Sequence, residues 1–438
     1  MHHDLPRKLG LIDSLAIIMG IVIGGGIFLV PNLVARNLGS VPAILGVWTF
    51  AGVVSFFGGL ACAELGTAFP STGGQYVFLR EAYGPLAGFL CGWSMFTVVR
   101  TAQVAWLAVV FALYVSYFIP LGAVASKALG VAMIALVAAV NYRGVQAGAI
   151  VQKSFTFAKL AGLMIIVASA FLWSGHIVPQ TNPTAAAFSL SNFGVALIGC
   201  LMAYDGWVQV SFVAGEIQNP KRNILLSLAL GCAAVIVVYL LTNLAYLRVL
   251  PIPEIAASEH VGATAAERVL GPAGGTLVSV IILVSILGGM NGCFLTSPRV
   301  YFAQAEDGLF FHQFARVQPR FQTPGFAILA QAAWSSVLVV TGSYEALMDY
   351  ALCAIWLFYG LMVAAVIVLR RRRPDVPRPY HMWGYPATPL IFVGITAWFL
   401  VNMLVTRPMP TFAGLGLVLV GIPIFSFWAP RQKKLNTQ

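Results

Sequence analysis

The chain has 438 residues, of which 59% are hydrophobic and only 9% are charged. A soluble domain carries about 25% charged residues, so this composition excludes an ordinary soluble protein and indicates one that crosses a membrane many times. The net charge of +11 invites comparison with nucleic-acid-binding proteins. The distribution of the basic residues, described below, argues against that partner.

Twelve apolar stretches are long enough to cross a bilayer, for which about 20 residues are needed. In chain order, as spans 1 to 12, they lie near 11–37, 41–66, 85–117, 124–140, 150–173, 190–217, 223–247, 269–304, 324–341, 345–369, 387–406 and 411–428. The sequence therefore predicts an all-α integral membrane protein with twelve transmembrane helices, surrounded by membrane lipids.

The basic residues are divided unequally between the two sides of the membrane. With the N-terminus inside, 18 of the 25 Lys and Arg residues fall in cytoplasmic segments and five in outer segments, while Arg100 and Lys159 lie within spans. Such an excess marks the cytoplasmic side. Both termini are therefore predicted to be cytoplasmic, and the charge requires no nucleic acid. The membrane is expected to be the plasma membrane, specifically a bacterial inner membrane.

Two spans contain residues that break a helix near mid-membrane. Span 1 includes "IVIGGGIFLVP" (21–31), and each glycine inside a helix costs about 1 kcal/mol relative to alanine. Span 6 includes "LMAYDGWVQVSFVAGE" (201–216), where Asp205 and Gly206 interrupt the apolar run. The breaks are five spans apart, which is the offset expected of two five-helix inverted repeats.

This offset divides the chain into three predicted parts. Residues 1–173 form the first inverted repeat, with spans 1 to 5, and residues 190–369 form the second, with spans 6 to 10. Spans 11 and 12, in 387–428, follow the repeats.

The two breaks predict a binding site for an amino acid. Unwound backbone at membrane depth is tolerated only where it is buried in protein or lines a polar cavity. The second half of a broken helix begins with amides that suit a carboxylate, and the first half ends with carbonyls that suit an ammonium group. Gly24, Gly25 and Gly26 offer amides without obstructing side chains. Close helix packing is the alternative explanation for these glycines.

The side chains beside the second break have more than one interpretation. Asp205 either meets a substrate amine or a proton, as intramembrane acids often do, or caps the second half-helix. Tyr204 and Trp207 could close over a ligand, although packing is the commoner role of large aromatic residues.

Lys159 and Arg100 are the basic residues within spans. Lys159 has no acidic residue within five positions, so it needs a distant partner or backbone carbonyls. It could hold unwound backbone as a bound cation would, or exchange protons; the alternative is snorkelling to the inner surface near Lys153. Arg100 is interpreted as a link between helices rather than a gate.

No cofactor, metal site or catalytic cluster is expected. The six cysteines are scattered through apolar segments without a CxxC pair. The six histidines fall in predicted loops or in the N-terminal tail, and neither HExxH nor GxSxG occurs. An intramembrane enzyme, which would need such a cluster, is kept only as an alternative.

Several motifs resemble the amino acid–polyamine–organocation superfamily. They are "IGGGIFLVP" (23–31), "AYDGW" with "SFVAGEIQNPKRNI" (203–224), "FAKL" (157–160) and "GGMNGCFLTSPRVYFAQAEDG" (288–308). The segment "VVRTAQVAWLAVVFALYV" (98–115) is similar to the third helix of the L-type amino acid transporter branch. The resemblance implies a five-plus-five inverted-repeat fold with discontinuous helices 1 and 6, alternating access, and sodium-independent amino acid transport.

The resemblance also implies roles for individual residues. The substrate-binding residues would be Val22, Ile23, Gly24, Gly25, Gly26, Met202, Ala203, Tyr204 and Asp205. The glycine amides would bind the carboxylate, and the carbonyls of the other residues would surround the ammonium group. Lys159 would occupy a sodium-like position that ties the first helix to the eighth, near Asn291 and Gly292, and Trp207 is the gate candidate.

The chain departs from its eukaryotic counterparts at three places. Gly25 and Met202 stand where they often carry serine and phenylalanine, so one carboxylate contact and one ring gate are not expected. The loop "IPLGAVASK" (119–127) has no cysteine, so no disulfide-linked heavy subunit is expected as a partner. The predicted function is secondary transport of neutral L-amino acids by an exchanger or facilitated carrier. Proton-coupled symport through Lys159 or Asp205 is the alternative.

Overall fold

The computed structural model describes residues 5–116, 118–173 and 189–435. His2, His3 and His176 lie outside these ranges, as does most of the predicted loop between spans 5 and 6. The described residues form helices and connecting turns. One isolated backbone bridge joins Leu9 to Ile217.

The helices follow the twelve predicted spans. Their bounds are Leu11–Val22 and Gly26–Asn37 (span 1), Val41–Ala68 (2), Pro85–Ser116 (3), Ala123–Tyr142 (4), Val145–Leu172 (5), Leu190–Ala203 and Trp207–Glu216 (6), Pro220–Val249 (7), Pro272–Glu306 (8), Gly325–Thr341 (9), Tyr344–Arg372 (10), Ala387–Thr406 (11) and Pro408–Leu435 (12). Short helices at Gln75–Tyr83, Ile252–Ala257, Val261–Leu270 and His312–Ala315 lie between spans.

The lengths and composition of these helices confirm the predicted all-α membrane fold. Within the described ranges, ten helices are long and apolar enough to cross a membrane, and the bent pair of span 1 raises the number to eleven. Span 9 is a shorter apolar helix of 17 residues, near the lower limit of spanning length. The division into two inverted repeats remains a prediction.

Spans 1 and 6 are both broken, and the breaks meet. The two halves of span 1 are bent by 43°, and residues 204–206 separate the α-helical half of span 6 from a 3₁₀ segment. A Cβ atom at Gly26 would lie 2.9 Å from the Cβ of Ala203, and one at Gly206 would lie 2.7 Å from Cγ2 of Ile21. Gly206 also has a φ of 126°, which side chains rarely permit. Glycine therefore allows the two chain breaks to approach.

The broken spans lie inside a shell of unbroken helices. The first half of span 1 packs against spans 5, 7 and 8. At the periphery, spans 4, 11 and 12 expose large apolar side chains, among them Leu136, Val401 and Leu419. In a bilayer these side chains face lipid, where exposed apolar surface carries no penalty.

Candidate substrate-binding site

A cavity of about 510 Å³ lies beside the two breaks. Backbone from both breaks and side chains from spans 3, 8 and 10 line it. Most of the lining is apolar, and its hydrogen-bonding side chains include Gln103, Asp205, Ser285 and Arg407. An apolar cavity with a few polar groups is typical of a small-molecule site. Since Arg407 follows span 11, the cavity is on the predicted outer side of the breaks.

The cavity brings together most of the predicted binding residues. Those that line it are Val22, Gly24, Gly25, Gly26, Met202, Ala203 and Asp205. Ile23 and Tyr204 are absent from the lining, as are the gate candidate Trp207 and the buried Lys159.

The three glycines of span 1 differ in whether their backbone amides are free to bind a ligand in the cavity. Gly26 begins the second half-helix, and the first amides of a helix have no acceptor within it. A Cβ at Gly24 or Gly25 would meet no atom closer than 3.8 Å, so the space beside both residues is open. The amide of Gly24 already donates to the carbonyl of Val22 at 2.8 Å. The amides of Gly25 and Gly26 are therefore the better placed for a carboxylate.

Tyr239 of span 7 connects the two breaks, and the sequence analysis missed it. Its hydroxyl oxygen lies 2.7 Å from the carbonyl of Val22 and 3.0 Å from that of Ala203. These carbonyls belong to the last residues of the two first half-helices. The Val22 carbonyl also accepts from the Gly24 amide, so the carbonyl with a lone pair left for a substrate ammonium group is that of Ala203. Tyr239 lies in a uniformly apolar stretch, so no sequence pattern distinguishes it from its neighbours.

Lys159 holds the end of the first half of span 1. It is 1% exposed. Its Nζ donates to the carbonyls of Gly20 and Ile23, the second at 2.6 Å. Ser285 of span 8 donates to the same Ile23 carbonyl at 3.0 Å, which explains why Ile23 contributes nothing to the cavity. Lys159 thus faces the helix end instead of snorkelling to the inner surface.

Neighbouring residues extend this attachment of span 5 to span 1. Thr156 donates to the carbonyl of Ala16 at 3.1 Å, one helical turn before Lys159. Asn291 of span 8 donates to Gln152 at 2.8 Å, so the predicted proximity of Asn291 to this region is found. The link from span 1 to span 8 runs through Ser285, because the hydrogen bonds of Lys159 itself go to span 1.

Asp205 faces the cavity, and its carboxylate accepts a hydrogen bond from the hydroxyl of Tyr359 in span 10. The capping interpretation is wrong, because Gly206 occupies the N-cap position and no side-chain cap bond is formed. Asp205 therefore remains a functional candidate with a protein partner on one side and the cavity on the other.

The two aromatic residues of the second break pack away from the cavity. The ring of Tyr204 lies 4.9 Å from that of Tyr239 and 5.9 Å from that of Trp48, measured between centroids. The ring of Trp207 lies 5.1 Å from that of Tyr359. In the predicted topology the inner half of span 6 begins with Trp207, so any gating role belongs to the inner side.

Span 10 supplies a cavity wall that the sequence analysis also missed. Its lining residues are Met348, Leu352, Ile355 and Trp356. Their spacing of four, three and one positions places them along one face of a helix. Such a stripe was visible in the sequence, but every face of this apolar span looks equally suited to packing. Only the position of the breaks identifies which face meets a ligand.

Comparison with known proteins identifies the family of the chain. Residues 9–426 match the family described as amino acid permease. The serine/threonine exchanger SteT of Bacillus subtilis (strain 168) is 33% identical over 97% of this chain and 97% of its own length. The human b(0,+)-type amino acid transporter 1 is 32% identical over 92% of this chain and 84% of its own length.

A third relative, the human cystine/glutamate transporter, is 32% identical over 98% of this chain and 87% of its own length. All three names describe transporters or exchangers of amino acids rather than enzymes. The resemblance drawn from the motifs is thereby confirmed over nearly the whole chain. The chain belongs to the amino acid permease family, within the amino acid–polyamine–organocation superfamily.

Proposed function

We propose that the chain is a sodium-independent exchanger of neutral L-amino acids that works by alternating access. One observation carries the proposal: two broken helices meet at a single cavity. The first break offers the amides of Gly25 and Gly26 for a carboxylate, and the second offers the carbonyl of Ala203 for an ammonium group. An α-amino acid carries these two groups on adjacent atoms, and the relatives are amino acid carriers by name.

Sodium independence is proposed because a protein cation already occupies the end of the first half-helix. The Lys159 ammonium group bonds the carbonyls of Gly20 and Ile23, where the helix dipole is negative. A second cation at this position would be repelled by the first. The carrier can therefore order its broken helix without binding an ion.

The preference for neutral side chains is proposed from the cavity wall. Most of the lining residues are apolar, those of spans 3 and 10 among them, and the carboxylate of Asp205 is engaged by Tyr359. We also propose that the chain lies in a plasma membrane with both termini cytoplasmic and works without a disulfide-linked heavy subunit. All six cysteines are buried, and the loop 119–127 has none.

Uptake into proteoliposomes tests this function. A labelled mixture of neutral L-amino acids is supplied in sodium-free buffer to vesicles that are empty or loaded with the unlabelled mixture. Exchange predicts uptake that requires the internal amino acids and does not change when sodium replaces choline outside. Absence of uptake into loaded vesicles would overturn the proposal, and a strict need for sodium would overturn its ion independence.

Proton-coupled symport is the second candidate, favoured by the surroundings of Lys159. Its hydrogen bonds go to neutral carbonyls, so its proton is not held by a carboxylate. This mechanism predicts uptake into empty vesicles that increases as the outside is acidified, together with proton entry. Exchange predicts neither result, so the same vesicles separate the two mechanisms.

A further inference from the structure

Arg100 is a fully buried arginine at the edge of the cavity. Its Nη1 donates to Oε1 of Gln103 at 2.8 Å, and Gln103 lines the cavity. The other two nitrogens, Nε and Nη2, make no well-aligned hydrogen bond within the described part of the chain, and another polar side chain beside the guanidinium is that of Tyr359. A guanidinium group removed from water in this way needs a compensating negative charge.

Asp205 provides that charge. Its carboxylate accepts a hydrogen bond from the hydroxyl of Tyr359, and the Arg100 guanidinium lies near both groups, linked to Asp205 through Tyr359 rather than by a direct ion pair. The three side chains come from spans 6, 10 and 3, and Asp205 is the member of the three that lines the cavity. We call Arg100, Asp205 and Tyr359 the charge cluster. With one positive and one negative member, it carries no net charge.

We propose that the pairing of Arg100 with Asp205 determines which substrate side chains the carrier accepts. The inference rests on the proposed function and extends it to specificity. While both charges are present, a neutral side chain leaves the pair intact, whereas a charged one competes for one member and strands the other. Stranding a charge in a desolvated site is costly, so charged amino acids are rejected.

The pairing makes opposite predictions for its two members. Without Asp205, the Arg100 guanidinium is left to attract a side-chain carboxylate, so L-glutamate becomes a substrate. Without Arg100, the Asp205 carboxylate is left to attract a side-chain ammonium group, so L-lysine becomes a substrate. Removing both leaves a neutral site again. A purely structural role for Arg100 would lower all uptake together and would not change these ratios.

The test measures uptake of labelled L-alanine, L-glutamate and L-lysine into vesicles loaded with the same amino acid. Asp205→Asn should raise the glutamate-to-alanine ratio at least tenfold over the unmodified chain, and Arg100→Gln should raise the lysine-to-alanine ratio similarly. The double variant should show neither increase. Tyr359→Phe keeps both charges and removes only a hydrogen bond, so it should keep the original preference even if its rate is lower.

The inference would be overturned if both single variants kept both uptake ratios within twofold of those of the unmodified chain. It would also be overturned if the two variants changed the same ratio in the same direction. Gln103→Glu is a further test that remains available if Asp205→Asn or Arg100→Gln does not fold. It adds a negative charge beside Arg100 and keeps both Arg100 and Asp205. It should raise the lysine-to-alanine ratio, and an unchanged ratio would again overturn the inference. Alanine exchange by the unmodified chain is scored separately, and its absence would contradict the proposed function instead.

Discussion

At the scale of single residues, the three glycines of the first break have different roles. The Gly24 amide donates to Val22 within the turn, Gly25 borders open space, and Gly26 packs against Ala203. The two explanations weighed for the triplet, ligand access and close helix packing, therefore apply to different members of it. Substituting each position separately distinguishes them.

Gly25→Val is expected to abolish exchange while leaving the protein folded. Gly25 has a φ of −66° that valine can adopt, and its added atoms would enter the cavity where the carboxylate is proposed to bind. A loss of exchange of at least tenfold is expected, and a tenfold loss of binding corresponds to about 1.4 kcal/mol. Exchange and the melting temperature in detergent are the measurements.

Gly46→Val is the matched control, because a Cβ at Gly46 also meets nothing within 4 Å but lies on span 2, away from the cavity. It should leave exchange nearly unchanged. Equal losses of exchange in the two variants would contradict the assignment of Gly25 to the binding site.

Lys159→Met is expected to destabilise the protein and eliminate exchange. The substitution leaves the Gly20 carbonyl without its ammonium donor and the Ile23 carbonyl with Ser285 alone. Losing a hydrogen bond to a charged group costs about 1.5–3 kcal/mol. The thermal unfolding midpoint and exchange are measured together.

Lys153→Met provides the comparison on the same helix. Lys153 forms a 2.7 Å pair with Asp13, and its side chain is 33% exposed. Partly exposed pairs contribute about 0–1 kcal/mol, so this variant should remain close to the unmodified chain. A Lys159 variant that unfolds no earlier than the Lys153 variant would show that the carbonyl contacts do not hold span 1.

At the scale of elements, the site depends on two half-helices that end at the same point. The first halves of spans 1 and 6 finish at Val22 and Ala203, and the hydroxyl of Tyr239 reaches both carbonyls. Span 7 thus acts as a fixed support against which both breaks are placed. Any movement of one half-helix relative to the other must stretch or exchange these contacts.

Tyr239→Phe is expected to lower the unfolding free energy by about 1–2 kcal/mol, because the buried O–H that is shared between the Val22 and Ala203 carbonyls is lost. It should also reduce exchange, since the breaks lose their common support. Tyr246→Phe is a closely matched control on the same span: Tyr246 is buried, and within the described residues its hydroxyl makes no hydrogen bond. Thermal unfolding that is equally affected by both substitutions would contradict the bridging role.

The sequence predicted the positions of the helices and their breaks better than it predicted which face of each helix lines the cavity. Composition identifies the spans, and the glycine and Asp-Gly breaks follow from local helix energetics. Lys159 was identifiable because an isolated intramembrane charge needs a partner. Tyr239 and the wall of span 10 were not, since their importance depends on the direction in which the chain leaves each break. That direction also turns Tyr204 and Trp207 away from the cavity.

At the scale of the whole molecule, the cavity lies on the predicted outer side and the inner side is closed by packed and paired groups. Arg299 of span 8 donates from Nε to Glu216 at 2.7 Å, and both side chains are fully buried. The Glu216 carbonyl accepts from the amides of Lys8 and Leu9, each at 2.9 Å. The segment before span 1 is thereby fastened to the end of span 6, and alternating access requires this closure to separate.

Glu216→Gln is expected to shift the carrier toward an inward-open state. The substitution leaves the Arg299 charge buried without its partner, and removing one member of a buried pair costs about 3–5 kcal/mol. We expect Arg299 to reach water when the inner side opens, so that cost should fall mainly on the closed state. Backbone hydrogen exchange in 207–217, measured in nanodiscs, should therefore become faster. Amino acid exchange should become slower, because the carrier spends more of its transport cycle in the inward-open state.

Two further variants separate this effect from general destabilisation. Glu254→Gln removes an ion pair with Arg268 whose side chains are about one-third exposed, so it should change neither measurement. Replacing both Glu216 and Arg299 with leucine removes the stranded charge, and stability should return because buried pairs are often replaceable by apolar residues. If Glu216→Gln leaves the hydrogen exchange of 207–217 unchanged, the pair is not part of the inner closure, and the separation of the two sides must depend on the packing around Trp207 instead.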